Sequence, residues 1–172
     1  MQNLIPKKEE EERRLKALAE YRILGTKPES CYDDITKIAA STCNVPISLM
    51  TLVDKDKQWF KSKVGLEINE TKRDWSFCTH AIQENSPLII QDAFQDERFI
   101  NNPLVTGDPK IRFYAGFPLK NRDGNKLGTL CVIDRKPGNL SPKQFNVMEL
   151  LSKQIVSFLE LRKKSLNLLE AL

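Results

Sequence analysis

The sequence is poorest in histidine: His80 is the single imidazole among 172 residues. Four cysteines accompany it, Cys31, Cys43, Cys78 and Cys131, with no Cys-x-x-Cys pair. That inventory excludes a zinc centre of the usual Cys/His spacing. Each cysteine sits in an apolar or helical context, which reads as free buried thiols in a reducing compartment. Long apolar runs are missing too. None approaches the ~18–20 residues that span a bilayer, and Met1 to Arg14 becomes charged almost at once, without a signal-peptide core. A soluble, cytoplasmic protein is expected. No single sign of charge prevails: 27 basic against 23 acidic residues leave a net charge of +4. The block Lys7-Lys8-Glu9-Glu10-Glu11-Glu12-Arg13-Arg14 reads as a mixed-sign helix surface. With no basic stripe interleaved with aromatics, neither nucleic acid nor a membrane is expected as a partner. What is present is an ordinary globular mix, 40% apolar and 29% charged, in a length that suits one domain with helical extensions.

The first predicted helix runs from Pro6 to Leu24, with Pro6 in its first turn and Leu15, Leu18 and Ala19 as its apolar stripe. Gly25 and Pro28 end it. A second helix, Glu29 to Cys43, carries Cys31, Ile35, Ile38, Ala39 and Thr42 on one face, with Ser30 as a candidate cap. Asn44 and Pro46 close it. Ile47 to Val53 is apolar on both alternating faces and predicts a central strand covered on both sides. A polar turn at Asp54 to Lys57 leads to a returning strand, Gln58 to Val64, ending at Gly65. Leu66 to Ser76 lacks a period and reads as loop. Ser76 caps a predicted short helix through Gln83, and Pro87 to Ile90 is a short strand. Gln91 to Lys110 is long and polar, with Pro103, Gly107 and Pro109. Loops of this length in a compact domain are usually functional or disordered. The anchors Phe94, Phe99, Ile100, Leu104 and Val105 predict an ordered lid. Phe113 to Leu119 and Lys126 to Ile133 form a second hairpin around Asp123-Gly124. Ser141-Pro142-Lys143-Gln144 opens a last helix that continues to Leu172. Strands joined by tight turns imply an antiparallel sheet and an α+β class.

Several of these segments, taken in order, resemble a bacterial GAF-domain subfamily. They are Ile47 to Asp54, Gln58-Trp59-Phe60, Ser76-Phe77-Cys78-Thr79-His80-Ala81-Ile82, Asp92 through Phe99, Phe113-Tyr114-Ala115-Gly116, and Gly128 to Asp134. The likeness covers Leu15 to Leu161. It implies a sheet of about five or six antiparallel strands, as layered α+β domains use. It also implies terminal helices on one face, and a short helix and lid enclosing a pocket on the other. The domain then divides into an N-terminal helix (1–25), the GAF body (26–161) and a continuing helix (162–172) directed to a dimer partner or output module. Such domains often precede histidine kinases or diguanylate cyclases. They are commonly homodimers through their terminal helices, and many hold an unidentified small molecule.

Under that likeness, the candidate ligand contacts are Trp59, Phe77, Cys78, His80, Asp92, Arg98, Phe99 and Tyr114. Cys78 falls in the first turn of a helix, where a thiol pKa can fall. His80, two residues on, points elsewhere, so a catalytic pair within the segment is geometrically poor. Phe77 and Cys78 read as pocket floor or wall. Trp59 and Phe60 occupy opposite strand faces, one towards helices and one towards the pocket, unless both are simply core. Asp92, Asp96, Glu97 and Arg98 read as a lid latch over Phe99, with recognition of a polar ligand as the alternative. Arg73, Asp74 and Arg112 read as solvated loop charges. No catalytic or metal residue is assigned, and no cofactor is required. Cys78 lacks the glycine and further cysteines of GAF-fold free methionine sulfoxide reductases. The spacing of Phe94 and Asp96-Glu97 does not match the cyclic-nucleotide signature, and Thr79 separates Cys78 from His80, which breaks the bilin-attachment pattern. A regulatory small-molecule domain is therefore expected. A cysteine-dependent enzyme and a ligand-free dimerisation domain are the alternatives.

Overall fold

The computed structural model describes residues 8–172. Its first helix, α1, spans Lys8–Glu20, so the predicted start at Pro6 lies outside the described residues. It stops four residues before Leu24, because Arg22 and then Gly25 take positive φ. Its buried face is Arg14, Ala17 and Leu18, while Ala19 is exposed. Arg14 is not part of a solvated surface. Its guanidinium donates to the carbonyl of Val53 at 2.7 Å and to the Glu11 carboxylate at 2.9 Å.

The second helix, α2, spans Ser30–Cys43. Glu29, not Ser30, occupies the N-cap position, without a side-chain cap, and Asn44 closes the helix in the left-handed region at φ 53°. Tyr32, Ile35, Thr36, Ala39, Ala40 and Cys43 face the core, and Ile38 is left 48% exposed. Helical spacing alone placed the buried face slightly off, because Tyr32 and Thr36 have to meet the sheet.

Six strands follow: β1 (Ile47–Val53), β2 (Lys57–Val64), β3 (Glu70–Lys72), β4 (Leu88–Ile90), β5 (Phe113–Lys120) and β6 (Lys126–Asp134). They form one sheet in the order β3-β2-β1-β6-β5-β4, with every neighbouring pair antiparallel. The expected α+β class is therefore observed, and β1 is central and buried along its whole length. The stretch expected to be loop holds β3, a three-residue edge strand that pairs with β2. A strand that short has no period for sequence to reveal. A register shift opposite Met50 and Thr51 leaves Lys61 as an extra residue in β2, so Phe60 and Ser62 point to opposite faces.

Between these strands lie α3 (Phe77–Ala81) and α4 (Pro103–Thr106), and the last helix, α5 (Pro142–Glu170), follows β6. α5 opens with a capping box. Ser141 Oγ accepts from the Gln144 backbone and Gln144 Oε1 accepts from the Ser141 backbone. No helix among the described residues is long and apolar enough to cross a membrane.

The sheet separates two apolar clusters. On one face, α1, α2 and α5 bury Leu18, Ile35, Met148, Ile155 and Leu159 against Met50, Leu52, Phe117 and Leu130. On the other, α3 and the 91–110 lid bury Phe77, Phe99 and Val105 against Leu49, Phe60, Tyr114 and Ile133. The lid is ordered, as expected, but Phe99, Leu104 and Val105 anchor it while Phe94 and Ile100 stay exposed.

Candidate functional site

Beneath α3 and the lid lies a cavity of about 20 Å³, lined by Gln58, Phe60, Phe77, Cys78, Tyr114 and Cys131 among others. Side-chain placement explains why so little space remains. Phe77, first in α3, stacks on Phe99 of the lid at 4.1 Å between centroids and leans on Tyr114 at 5.1 Å. His80 closes the far side of Phe99, edge to face at 4.8 Å. Three predicted site residues thus line the cavity, namely Phe77, Cys78 and Tyr114, and two more, Phe99 and His80, stack behind them.

The other three predicted residues are placed elsewhere. Trp59 packs with the helix-side cluster, and its neighbour Phe60 takes the cavity side. The alternation expected of a strand decided that one of the pair would face each way; only pairing with β1 decided which. Asp92 caps the 3-10 turn at 93–95 by accepting from the Phe94 backbone at 3.0 Å. Arg98 lies outside on the lid, where Asp96 accepts its guanidinium at 2.7 and 3.0 Å. The guanidinium rides 5.2 Å above the ring of the inserted Phe99. That is the latch geometry, with Asp96 as the acid. The Arg98 hydrogen bonds hold Asp96 below the usual carboxylate range, ahead of an opposing effect of burial. Burial and the nearby Arg98 charge hold His80 below the usual imidazole value.

The floor of the cavity is polar in a way the sequence did not announce. Thr129 of β6 donates its hydroxyl proton to Cys78 Sγ at 3.0 Å, and the Tyr114 hydroxyl lies 3.1 Å from the same sulfur. Thr51, paired with Thr129 across β1 and β6, sits 3.0 Å from the Thr129 oxygen. Burial opposes ionisation of Cys78, but the surrounding Cys131, Thr129, Thr51 and Tyr114 side chains favour the thiolate and draw its pKa below the usual thiol value. Cys131 moves the other way, pushed well up by burial and by the adjoining Cys78.

Two residues make this seat possible. A Cβ at Gly116 would stand 2.1 Å from the Tyr114 hydroxyl oxygen, so only glycine lets that ring lie across its own strand towards Cys78. Gln58, 4% exposed, donates to Thr71 Oγ1 and accepts from Ser76 Oγ, and Ser76 in turn caps α3. Gln58, Thr51, Thr129 and Cys131 were not selected from sequence. The available signal was polar or thiol residues inside otherwise apolar strands.

Arg73 is also not a solvated loop charge. Its guanidinium donates to Glu11 of α1 and to the carbonyl of Asp54. Its own carbonyl accepts from Thr79 of α3. Burial alone would raise the Glu11 pKa; hydrogen bonds and charges from Arg14 and Arg73 outweigh it and hold Glu11 at about 2. Arg112 likewise is engaged, lying 3.6 Å over the Phe94 ring and donating to the carbonyl of Val105.

A family model described as "GAF domain" matches residues 27–158, well over half of the chain. The chain belongs to the GAF domain family. A curated relative, a cyclic di-GMP phosphodiesterase of Pseudomonas aeruginosa, is 37% identical over 153 residues. That match covers 88% of this chain and 26% of the relative, so the GAF domain spans about a quarter of its relative's length. Among solved structures, the GAF domain of an Acinetobacter phosphoenolpyruvate-protein phosphotransferase superposes with a TM-score of 0.63 at 16% identity, covering 94% of this chain and 99% of that one. A free methionine-R-sulfoxide reductase from Neisseria meningitidis in complex with its substrate gives 0.64 at 12% identity, covering 94% and 96%. At such identities these two show the shared fold alone. A regulatory signalling role fits the family and the curated relative.

Proposed function

We propose that this GAF domain is a cytoplasmic regulatory input module in bacterial signal transduction. A small molecule admitted under the lid shifts α3, and α3 biases the terminal helices. The observation that carries this reading is the Thr79–Arg73–Glu11 connection, which ties the cavity wall to α1 on the other side of the sheet. From α1 the tie reaches α5: Arg162 donates to the carbonyls of Tyr21 and Arg22 at 2.8 Å, and Lys163 pairs with Glu20 at 2.8 Å. Phe77, Cys78, Phe99 and Tyr114 are the proposed ligand contacts, with His80 behind Phe99. Trp59, Asp92 and Arg98 would act on the fold and the latch.

A cavity of about 20 Å³ takes roughly one water, and metabolite sites run to about 300–1,000 Å³. Binding therefore requires the Phe99 latch to lift, and the ligand selects the lifted state by differential affinity. The α5 face opposite Met148, Ile155 and Leu159 carries Leu150, Leu161 and Leu168, which are 57%, 62% and 70% exposed. An apolar stripe of that length fits a homodimer seam, beyond which a histidine kinase, diguanylate cyclase or phosphodiesterase module would be driven.

The closed cavity also favours a second reading, a domain that dimerises constitutively without ligand. Native mass spectrometry and thermal shifts with a metabolite panel, combined with label-to-label distances between paired α5 helices, separate the two. A retained ligand that moves the helices supports regulation. A full dimer with no ligand and unchanged helix spacing supports the second reading and sinks the first.

A further inference from the structure

We propose that Cys78 and Cys131 form a peroxide-responsive dithiol that closes to a disulfide across the cavity floor. The idea deepens the regulatory reading and rests on it only for its consequence, not for its chemistry. Three observations carry it. Both cysteines line the same cavity, and both are fully buried, at 2% and 0% exposure. The Cys78 sulfur receives the Thr129 proton and meets the Tyr114 hydroxyl, a donor arrangement that suits an anionic sulfur. Cys43 supplies the contrast within the same chain. It is also buried, but it lies in the apolar cluster under the helices, where burial alone pushes its thiol up to about 11. Cys78 is the more deeply buried of the two, yet its surroundings favour the anion where those of Cys43 do not.

The cavity further selects the oxidant. Room for about one water-sized molecule suits hydrogen peroxide better than a bulky organic hydroperoxide. Cys78 thiolate attacks one peroxide oxygen and the O–O bond breaks. Hydroxide leaves and takes up the proton the thiol released, giving water and Cys78 sulfenic acid. The Cys131 sulfur then attacks the Cys78 sulfur. The S–O bond breaks, and hydroxide leaves with the Cys131 proton as a second water. Two thiols lose two electrons, and one peroxide is reduced to two waters. The new bond would pin α3 to β6, at the start of the Arg73–Glu11 tie.

The test treats the reduced chain with hydrogen peroxide, blocks remaining thiols, and maps the products by mass. The expected product is a Cys78–Cys131 disulfide, lighter by two hydrogens, with Cys43 untouched. Cys131→Ser should stop at the sulfenic acid and give a dimedone adduct on Cys78, and Cys78→Ser should give neither product. Tyr114→Phe and Thr129→Val keep shape while each removes a hydroxyl, and each should slow Cys78 oxidation at pH 7 by about tenfold. Oxidation of Cys78 no faster than that of Cys43, or loss of only the half-buried Cys31 thiol, overturns the proposal. A disulfide that forms without moving α5 supports the dithiol and counts against the regulatory reading instead.

Discussion

Replacing Phe99 with alanine measures how firmly the lid is held. The ring is completely buried, stacked on Phe77 at 4.1 Å and edge-on to His80 at 4.8 Å. Nothing adjoining it can collapse cheaply, since Phe77 is itself held by the capped start of α3. Truncating a buried phenylalanine costs about 3–5 kcal/mol. For a domain of this size each kcal/mol is worth about 2–4 °C, so the melting temperature should fall by roughly 6–20 °C. Ile100, the next residue along the chain, is 41% exposed, and its alanine variant should cost about 1 kcal/mol or less. Urea denaturation of both variants, analysed at constant m-value, gives the two numbers. A lid that merely rests on the sheet would lose no more at Phe99 than at Ile100. That equality would refute the reasoning, and with it the latch as the element a ligand must lift.

The Glu11 carboxyl should make stability fall in acid. Its folded pKa near 2 lies below the unfolded value of about 4.5. Its contribution, at most about 3 kcal/mol, is thus complete above about pH 4.5, drains as pH falls, and is gone below about pH 2. Glu11→Gln should flatten that part of the stability–pH curve, and an unchanged curve would argue against the Arg14–Glu11–Arg73 network. Gly116→Ala should displace the Tyr114 ring. A loss of about 1–3 kcal/mol, measured by denaturation, should come with slower alkylation of Cys78 as its sulfur loses the Tyr114 hydroxyl, and unchanged thiol reactivity would place that hydroxyl elsewhere. Leu161→Lys with Leu168→Lys should yield a monomer by sedimentation with the fold intact, and a persisting dimer would remove α5 as the seam.

Much of this protein is determined by local sequence. The β1 run Ile47 to Val53 is apolar at every step because both of its faces are covered, and Asp123-Gly124 specifies its hairpin through a positive φ at Gly124. Ser141 and Gln144 spell out the start of α5 in four residues. The order of motifs also carried the family, and with it the covered pocket. These features are legible because each depends on neighbours in the chain. What depended on distant partners was not legible. Lys61 as an extra residue in β2, the helix-side placement of Trp59, and the burial of Arg14 follow from pairing and docking across long separations. The candidate site shares that character. Cys78, Tyr114, Thr129, Thr51 and Cys131 come from four separate elements, and only the sheet register brings their polar atoms to one point. Sequence nominated Cys78 as one residue near the pocket. The tertiary structure decided that its sulfur meets the Thr129 and Tyr114 hydroxyls in a space for about one water, because a thiol's chemistry is set by what folds around it.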